Sequence, residues 1–270
     1  MPTINAKDGS TISFSDTGSG VPILFLHGWM MSMKVWHYQQ QLSSKLRVIT
    51  MDLSGHGRSQ ADEFSYSSCL SDIKALMDYL NIERFFIAGW SMGSQLAIIS
   101  AIELEERVAG LVLISGTPKF SNSDDYSCGL PEDEARGMKI RIKRDYKETS
   151  GQFFKNMFSE QEVAVADLKA IAANSVSILP PLNIALSALK VLTECNLVDL
   201  LPSITCPVLL IHGSDDTICP VKASEFVQSQ LPDSTLVCFE HAGHAPFLTE
   251  PERFNFEVSR FIFRRVDDSD

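Results

Sequence analysis

Residues 84–97 read RFFIAGWSMGSQLA and place a Gly-x-Ser-x-Gly motif between two different patterns. The apolar run at residues 85–88 is typical of a buried strand, and residues 92–104 have the spacing of a helix. Glycines on both sides of Ser91 permit a tight, strained turn that lifts a serine hydroxyl clear of a sheet. The pattern therefore predicts Ser91 as a nucleophile, and the alternative is a glycine-flanked serine that caps the helix.

Short apolar runs of the same kind recur along the chain and alternate with helical patterns. Continuous apolar runs bounded by Gly, Pro or Asp suit parallel strands that are buried on both faces. This alternation predicts an α/β fold with a mostly parallel, doubly wound sheet. The predicted strands are residues 21–26, 47–51, 85–88, 111–114, 208–211 and 236–239, and the predicted helices include residues 69–80, 92–104 and 221–230.

The alternation stops after residue 118 and resumes after residue 198. Residues 119–195 carry successive helical patterns and no obvious strand pattern. We expect them to form a helical lid over the carboxyl edge of the sheet, where ligands bind in open α/β sheets. The sequence thus predicts one core, built from residues 1–118 and 196–270, with 119–195 as an insertion rather than an independent domain.

A serine nucleophile needs an adjacent base, and the base needs a partner that orients it. The predicted strand 208–211 is followed by residues 212–216, HGSDD, and the strand 236–239 is followed by residues 241–244, HAGH. Both loops follow strands, so we expect them at the same sheet edge as Ser91. The sequence therefore predicts an aspartate and a histidine beside the serine.

Each loop offers two candidates. We favour Asp216 over Asp215 as the orienting acid because it lies four residues before a proline. We favour His244 over His241 as the base because it follows Gly243 and precedes a predicted helix. The alternative for the histidines is an H-x-x-H metal pair, but no third ligand lies nearby in the sequence. We therefore expect neither a metal nor a cofactor.

Hydrolysis by a serine passes through an oxyanion, which needs preorganised hydrogen-bond donors. One expected donor is the backbone N–H of Met92, directly after the serine. The other is the backbone N–H of Trp29, in the loop after strand 21–26. The Trp29 indole is also a candidate wall of the acyl pocket, and the alternative is that Trp29 and Trp90 are core aromatics.

Bulk composition excludes several classes of function. The chain has 23 Lys and Arg against 34 Asp and Glu, a net charge of −11, which disfavours binding to nucleic acid or anionic lipid. It shows neither a signal-peptide pattern nor an apolar run of the roughly 20 residues that span a bilayer. Its six cysteines are scattered, as in reduced cytosolic proteins. We expect a cytoplasmic monomer.

Several motifs resemble those of the α/β-hydrolase family over essentially the whole chain. Residues 26–28, LHG, resemble its oxyanion loop, residues 52–59, DLSGHGRS, its D-x-x-G-x-G-x-S turn, and residues 243–251 its histidine loop. The resemblance implies the α/β-hydrolase fold with the triad in the chain order Ser, Asp, His, as Ser91, Asp216 and His244 are.

A closer resemblance rests on residues 26–29, LHGW, 89–93, GWSMG, and 244–247, HAPF. These are similar to the esterases of biotin synthesis that remove the methyl ester from pimeloyl-acyl-carrier protein. The resemblance implies that activity and acyl carrier protein as partner. The alternatives are a general small-ester carboxylesterase or carbon–carbon bond hydrolase of the same fold, and a non-catalytic binding protein that kept the fold.

The insertion carries residues that the carrier hypothesis uses. A basic stripe on a predicted helix gives an acidic chain a surface complementary to an acidic carrier, and the alternative is an ordinary solvated helix face. The resemblance also implies an aromatic lid residue in the acyl channel, for which Phe153 and Phe154 are the candidates. The stripe consists of Arg136, Lys139, Lys143, Arg144 and Lys147.

Overall fold

The strand that leads into Ser91 lies inside an eight-stranded sheet with the order β1-β2-β4-β3-β5-β6-β7-β8. The structure is a computed structural model that describes residues 1–6, 9–160, 162–175 and 178–267. From β4 to β8 every neighbouring pair in this order is parallel, whereas β1 and β2 are antiparallel to their neighbours. The predicted α/β fold with a mostly parallel sheet is confirmed. The strands are β1 (Thr3–Asn5), β2 (Thr11–Thr17), β3 (Pro22–Leu26), β4 (Arg47–Met51), β5 (Phe85–Trp90), β6 (Val108–Ile114), β7 (Val208–Gly213) and β8 (Ser234–Phe239).

Helices connect the parallel strands, and four of them follow one another between β6 and β7. Helix α2 directly follows β5 and packs against β5, β6 and β3, so the turn that carries Ser91 is held on several sides. The α-helices of the described residues are α1 (Tyr66–Tyr79), α2 (Met92–Glu103), α3 (Glu132–Arg144), α4 (Tyr146–Lys155), α5 (Val165–Ser175), α6 (Leu182–Glu194), α7 (Lys222–Gln230), α8 (Pro246–Thr249) and α9 (Pro251–Asp267).

Two strands were missed by the sequence analysis. Strand β2 is an antiparallel neighbour of β4 and has the mixed sequence TISFSDT, in which only three consecutive residues are buried. Strand β1 has three residues and forms the edge of the sheet. Neither presents a continuous apolar run, because antiparallel strands near an edge are only partly covered. The pattern of buried parallel strands therefore indicates neither of them.

The predicted helix of the basic stripe is divided in two. Helix α3 ends at Arg144, and Asp145 has an extended backbone with φ −150°. The Asp145 carboxylate accepts the backbone N–H of Glu148 at 3.0 Å and so caps a new helix, α4. Lys147 therefore lies in the first turn of α4, not on the helix that carries the other four basic residues. The prediction of one continuous helix was wrong because Asp145 is a strong cap.

An aromatic cluster packs beneath the loops that follow the strands. The ring of Trp36 lies 4.5 Å from Phe247, 5.0 Å from Phe25 and 6.5 Å from Trp90. Each side chain is buried, and burying one contributes about 1.5–3 kcal/mol to stability. The cluster joins β3, the end of β5 and α8, so it fixes the two loops that flank Ser91 and His244.

No helix of the described residues combines the length and apolarity needed to cross a bilayer.

Candidate active site

Ser91 occupies a strained turn between β5 and α2. Its φ is 55° and its ψ is −115°, a conformation that side-chain-bearing residues rarely adopt, and it is 7% exposed. The flanking glycines have no room for a side chain. A Cβ at Gly89 would lie 2.2 Å from the carbonyl oxygen of Gly93, and a Cβ at Gly93 would lie 2.4 Å from that of Leu26. The turn therefore depends on both glycines.

This close packing predicts that Gly93→Ala destabilises the fold. The new methyl group meets backbone atoms of β3 that cannot rotate away, so we expect a loss of about 1–3 kcal/mol in the free energy of unfolding. Gly151→Ala is the matched control, because Gly151 lies on α4 with no atom within 4 Å of an added Cβ. Thermal unfolding of the two variants measures the difference. Equal stability of Gly93→Ala and the parent would contradict the prediction.

His244 and Asp216 form a buried pair after β8 and β7. The His244 Nδ1 lies 2.7 Å from Asp216 Oδ2, and Asp216 Oδ1 accepts the backbone N–H groups of Ile218 and Cys219 at 2.8 and 2.9 Å. Because a carboxylate only accepts, Nδ1 carries the hydrogen, and in the neutral imidazole Nε2 then keeps its lone pair. Among the described residues, the buried Nε2 has no hydrogen-bond partner. The imidazole is thus oriented to accept a proton at Nε2.

A second histidine also contacts Asp216. His212 Nε2 lies 3.2 Å from Asp216 Oδ2 and 2.7 Å from the carbonyl oxygen of Cys219, and its Nδ1 lies 2.7 Å from Ser224 Oγ. No role was predicted for His212. The only signal in the sequence is its place as the first residue of the HGSDD loop, directly after the predicted strand 208–211.

These contacts determine the protonation of Asp216. Burial raises the pKa of its carboxyl, but the charge and hydrogen bonds of His244 and His212 outweigh burial and hold the pKa below its usual value. Since the folded-state pKa is depressed, the ionised carboxylate stabilises the fold at pH values above the unfolded pKa of 3.8, and this contribution is lost as the pH falls. Asp216 is therefore ionised at neutral pH.

Cys219 lies between the serine and this pair. Its backbone N–H donates to Asp216 Oδ1, and its side chain lies close enough to Ser91 for the serine hydroxyl to lower the pKa of the thiol slightly. Burial outweighs this effect and raises the pKa well above its usual value, so the thiol stays protonated. The alternative candidates for the acid and the base, Asp215 and His241, lie outside this cluster. The His241 side chain is 91% exposed and that of Asp215 is 48% exposed, and the two lie 3.9 Å apart.

The predicted oxyanion loop lies beside Ser91 and is fixed by His27. A Cβ at Gly28 would lie 3.3 Å from the Ser91 Cβ, so the turn that leads to Trp29 touches the serine. His27 Nε2 accepts the backbone N–H of Leu53 at 3.0 Å, hence its Nδ1–H donates to the Gly28 carbonyl at 2.8 Å. Burial lowers the pKa of His27 to about 4, and the neutral ring keeps these roles at neutral pH. Met92, the other predicted donor, is the first residue of α2.

A cavity opens from Ser91 toward α3, α4 and α6. Phe153 lines it and packs edge-on against Trp29, with ring centroids 5.0 Å apart. The Trp29 indole N–H donates to the carbonyl of Ala185 on α6 at 2.9 Å. Phe154 packs against Phe158 instead and is not among the described lining residues. The described lining residues are Trp29, Ser91, Phe120, Leu130, Glu134, Met138, Arg141, Phe153, Asn156, Leu189, Leu192, Thr217 and Ile218.

The five residues of the predicted basic stripe are all exposed. Arg136 also forms an ion pair with Asp133 at 3.1 Å, which offsets part of its charge. A further basic residue, Arg141, lines the cavity and lies 3.7 Å from Glu134.

Within the described ranges, no group of three or more His, Cys, Asp or Glu side chains is arranged to hold a metal ion.

Comparison with known proteins confirms the resemblance that the motifs indicate. A pimeloyl-[acyl-carrier protein] methyl ester esterase of Nitrosomonas europaea is 35% identical over 247 residues, which cover 91% of this chain and 97% of that protein. A protein of the same name from Aliivibrio salmonicida is 28% identical over 94% of this chain and 96% of its own length. The structure of the esterase EaEST from Exiguobacterium antarcticum matches with a TM-score of 0.89 and 28% identity, covering 96% of this chain and 98% of that one. The alpha/beta hydrolase fold family matches residues 21–251, and this chain belongs to it.

Proposed function

We propose that this chain is a serine carboxylesterase in which Ser91 is the nucleophile, His244 the general base and Asp216 the residue that orients the base. The main observation in support of the proposal is the hydrogen bonding of the two ring nitrogens of His244. Its Nδ1 is bound to an ionised, buried carboxylate while its Nε2 is buried without a partner among the described residues. An imidazole held in this tautomer can take a proton from a serine hydroxyl.

The proposed reaction begins when the Ser91 hydroxyl donates a hydrogen bond to His244 Nε2, which is buried without a partner among the described residues. Hydrogen bonds between nucleophile and base often form fully only with substrate bound. Ser91 then attacks the ester carbonyl as His244 takes its proton, and His244 returns that proton to the departing alkoxide. Water, activated by the same imidazole, releases the acid. Asp216 stabilises the imidazolium in both steps.

The tetrahedral intermediate places a negative charge on the former carbonyl oxygen. In this proposal the backbone N–H groups of Trp29 and Met92 bind it, with the amino end of α2 adding its dipole. The His27 contacts support this role, because they hold the Gly28 peptide in one orientation without adding a charge.

As substrate we propose the methyl ester of pimeloyl-acyl-carrier protein, which would yield pimeloyl-carrier protein and methanol. The names of the relatives support this choice, as does the largely apolar cavity that leads away from Ser91. Residues 119–195 would act as the lid over this cavity, with Phe153 in contact with the acyl chain. The exposed basic residues on α3 and α4 would attract the acidic carrier.

The test is hydrolysis of pimeloyl-carrier-protein methyl ester by the purified chain, with a short free ester in parallel. We expect Ser91-dependent release of methanol at a low concentration of carrier. Cleavage of the short ester alone would overturn the carrier assignment and favour a general small-ester carboxylesterase. Failure of a fluorophosphonate to label Ser91 would overturn the serine mechanism itself.

The basic stripe makes a separate prediction. The double variant Lys139→Glu, Lys143→Glu should raise the KM for the carrier substrate by about 10-fold and leave the KM for the short ester unchanged. Charges at the edge of a protein–protein interface act mainly on the rate at which the two proteins associate. The matched control is Lys45→Glu with Lys222→Glu, an equal change of charge at exposed sites outside α3 and α4. Kinetics at two salt concentrations check the electrostatic origin. Equal effects of the two double variants would contradict a docking role.

A further inference from the structure

The chain segment directly after α4 is hydrogen-bonded to the loop that carries His244. The backbone N–H of His244 donates to the carbonyl of Met157 at 2.6 Å. The hydroxyl of Ser159 donates to the carbonyl of His241 at 2.5 Å. Two bonds therefore join residues 157–159 to the histidine loop, defined as residues 241–244.

Glu162 completes this junction with its carboxylate. One oxygen, Oε2, accepts the backbone N–H of Ser159 at 2.7 Å and the backbone N–H of Gly243 at 2.8 Å. A single atom thus bridges the two segments directly beside His244. Hydrogen bonds from N–H groups to an ionised carboxylate are shorter and stronger than those between neutral groups, so this bridge holds the two segments together strongly. The other oxygen, Oε1, is buried with no partner among the described residues.

The two segments are also in direct backbone contact at Gly243. A Cβ at this position would lie 2.5 Å from the carbonyl oxygen of Met157 and 2.8 Å from the nitrogen of Ser159. Only a glycine allows such an approach, so a shift of residues 157–159 must displace the histidine loop as well. A displacement of one segment is therefore expected to displace the other.

We propose that Glu162 is a positioning residue that fixes the histidine loop, and through it the imidazole of His244, from outside the core sheet. The proposal rests on the proposed role of His244 as the base. Asp216 orients the ring from the β7 side, and Glu162 holds the backbone N–H of the preceding residue, Gly243, from the segment after α4. The base is aligned only while Met157, Ser159 and Glu162 keep their contacts with the histidine loop, so the position of these residues affects turnover.

The experiment compares Glu162→Ala, Glu162→Gln and Glu160→Ala on a short p-nitrophenyl ester. We expect Glu162→Ala to lower kcat by about 10- to 100-fold with KM nearly unchanged, because a misplaced base slows chemistry rather than binding. Glu162→Gln keeps an oxygen acceptor at the same reach and should recover most of the lost kcat. Glu160 is exposed two residues away, and Glu160→Ala should behave like the parent.

A second measurement distinguishes positioning from loss of folding. The proton between His244 and Asp216 should give a far-downfield nuclear magnetic resonance signal, which we expect to shift or broaden in Glu162→Ala while thermal unfolding stays cooperative. A KM increase at constant kcat, a Gln variant as impaired as the Ala variant, or an unchanged Ala variant would each overturn the proposal. A short-ester activity that survives Ser91→Ala would instead overturn the proposed function.

Discussion

Ser91→Ala should lower kcat by on the order of 1,000-fold or more while leaving the fold intact. The substitution removes only the hydroxyl oxygen, and the turn that holds Ser91 is fixed by the backbone packing of Gly89 and Gly93. Without the hydroxyl no acyl-enzyme forms, and the remaining rate comes from binding and oxyanion stabilisation alone. Turnover of a short ester and covalent labelling by a fluorophosphonate measure the loss in two independent ways.

Ser115→Ala is the matched control for this experiment. Ser115 lies at the end of β6, next to β5, is buried and also has a positive φ, but its hydroxyl has no hydrogen-bond partner among the described residues. Removing it should leave kcat close to that of the parent. Near-parental turnover by Ser91→Ala, or an equal loss in both variants, would contradict a nucleophilic role for Ser91.

Asp216→Asn should lower kcat by about 10,000-fold, although the two side chains have the same shape. The backbone N–H groups of Ile218 and Cys219 require an acceptor, so the Asn oxygen must take that side. Its NH₂ group then faces His244 Nδ1, which must accept a hydrogen bond. The imidazole is forced into the tautomer with hydrogen on Nε2 and cannot take the serine proton.

Asp215→Asn serves as the control, since Asp215 is adjacent in sequence but half-exposed and directed at the exposed His241. We expect its kcat to match that of the parent. Steady-state kinetics between pH 6 and 9 compare the two variants under identical conditions. A large loss in Asp215→Asn together with a mild one in Asp216→Asn would reverse the assignment of the acid.

The sheet could be predicted from sequence wherever burial is complete. Residues 47–51 were assigned as a strand with the bounds that the structure gives to β4, and residues 208–211 fall within β7. Strands β1 and β2 were not predicted, because antiparallel strands at the edge of the sheet or next to it are only partly buried and have a mixed sequence. The break between α3 and α4 at Asp145 was not predicted, because a capping side chain interrupts a helix without interrupting its apolar spacing.

Candidate site residues could be chosen from the sequence where they lie in local motifs, but not where their contacts come from distant parts of the chain. Ser91, Asp216 and His244 each follow a recognisable strand, and the structure brings Asp216 and His244 into contact. Glu162 gave no signal in the sequence and His212 only a weak one, its place directly after a predicted strand, because the roles of both depend on contacts that the sequence does not display. Glu162, for example, meets Gly243 from 81 positions away.

The order of the strands also has a consequence for synthesis on the ribosome. Strand β5 lies between β3, which precedes it in the chain, and β6, which follows it closely, whereas β7 and β8 come only after residues 119–195. At roughly 5–20 residues per second, the ribosome adds the approximately 150 residues between Ser91 and His244 in about 8 to 30 s. The nascent chain can thus pair the strand that leads to Ser91 with its neighbours well before Asp216 and His244 are synthesised. If these residues act as proposed, hydrolytic activity is expected to appear only after His244 has emerged.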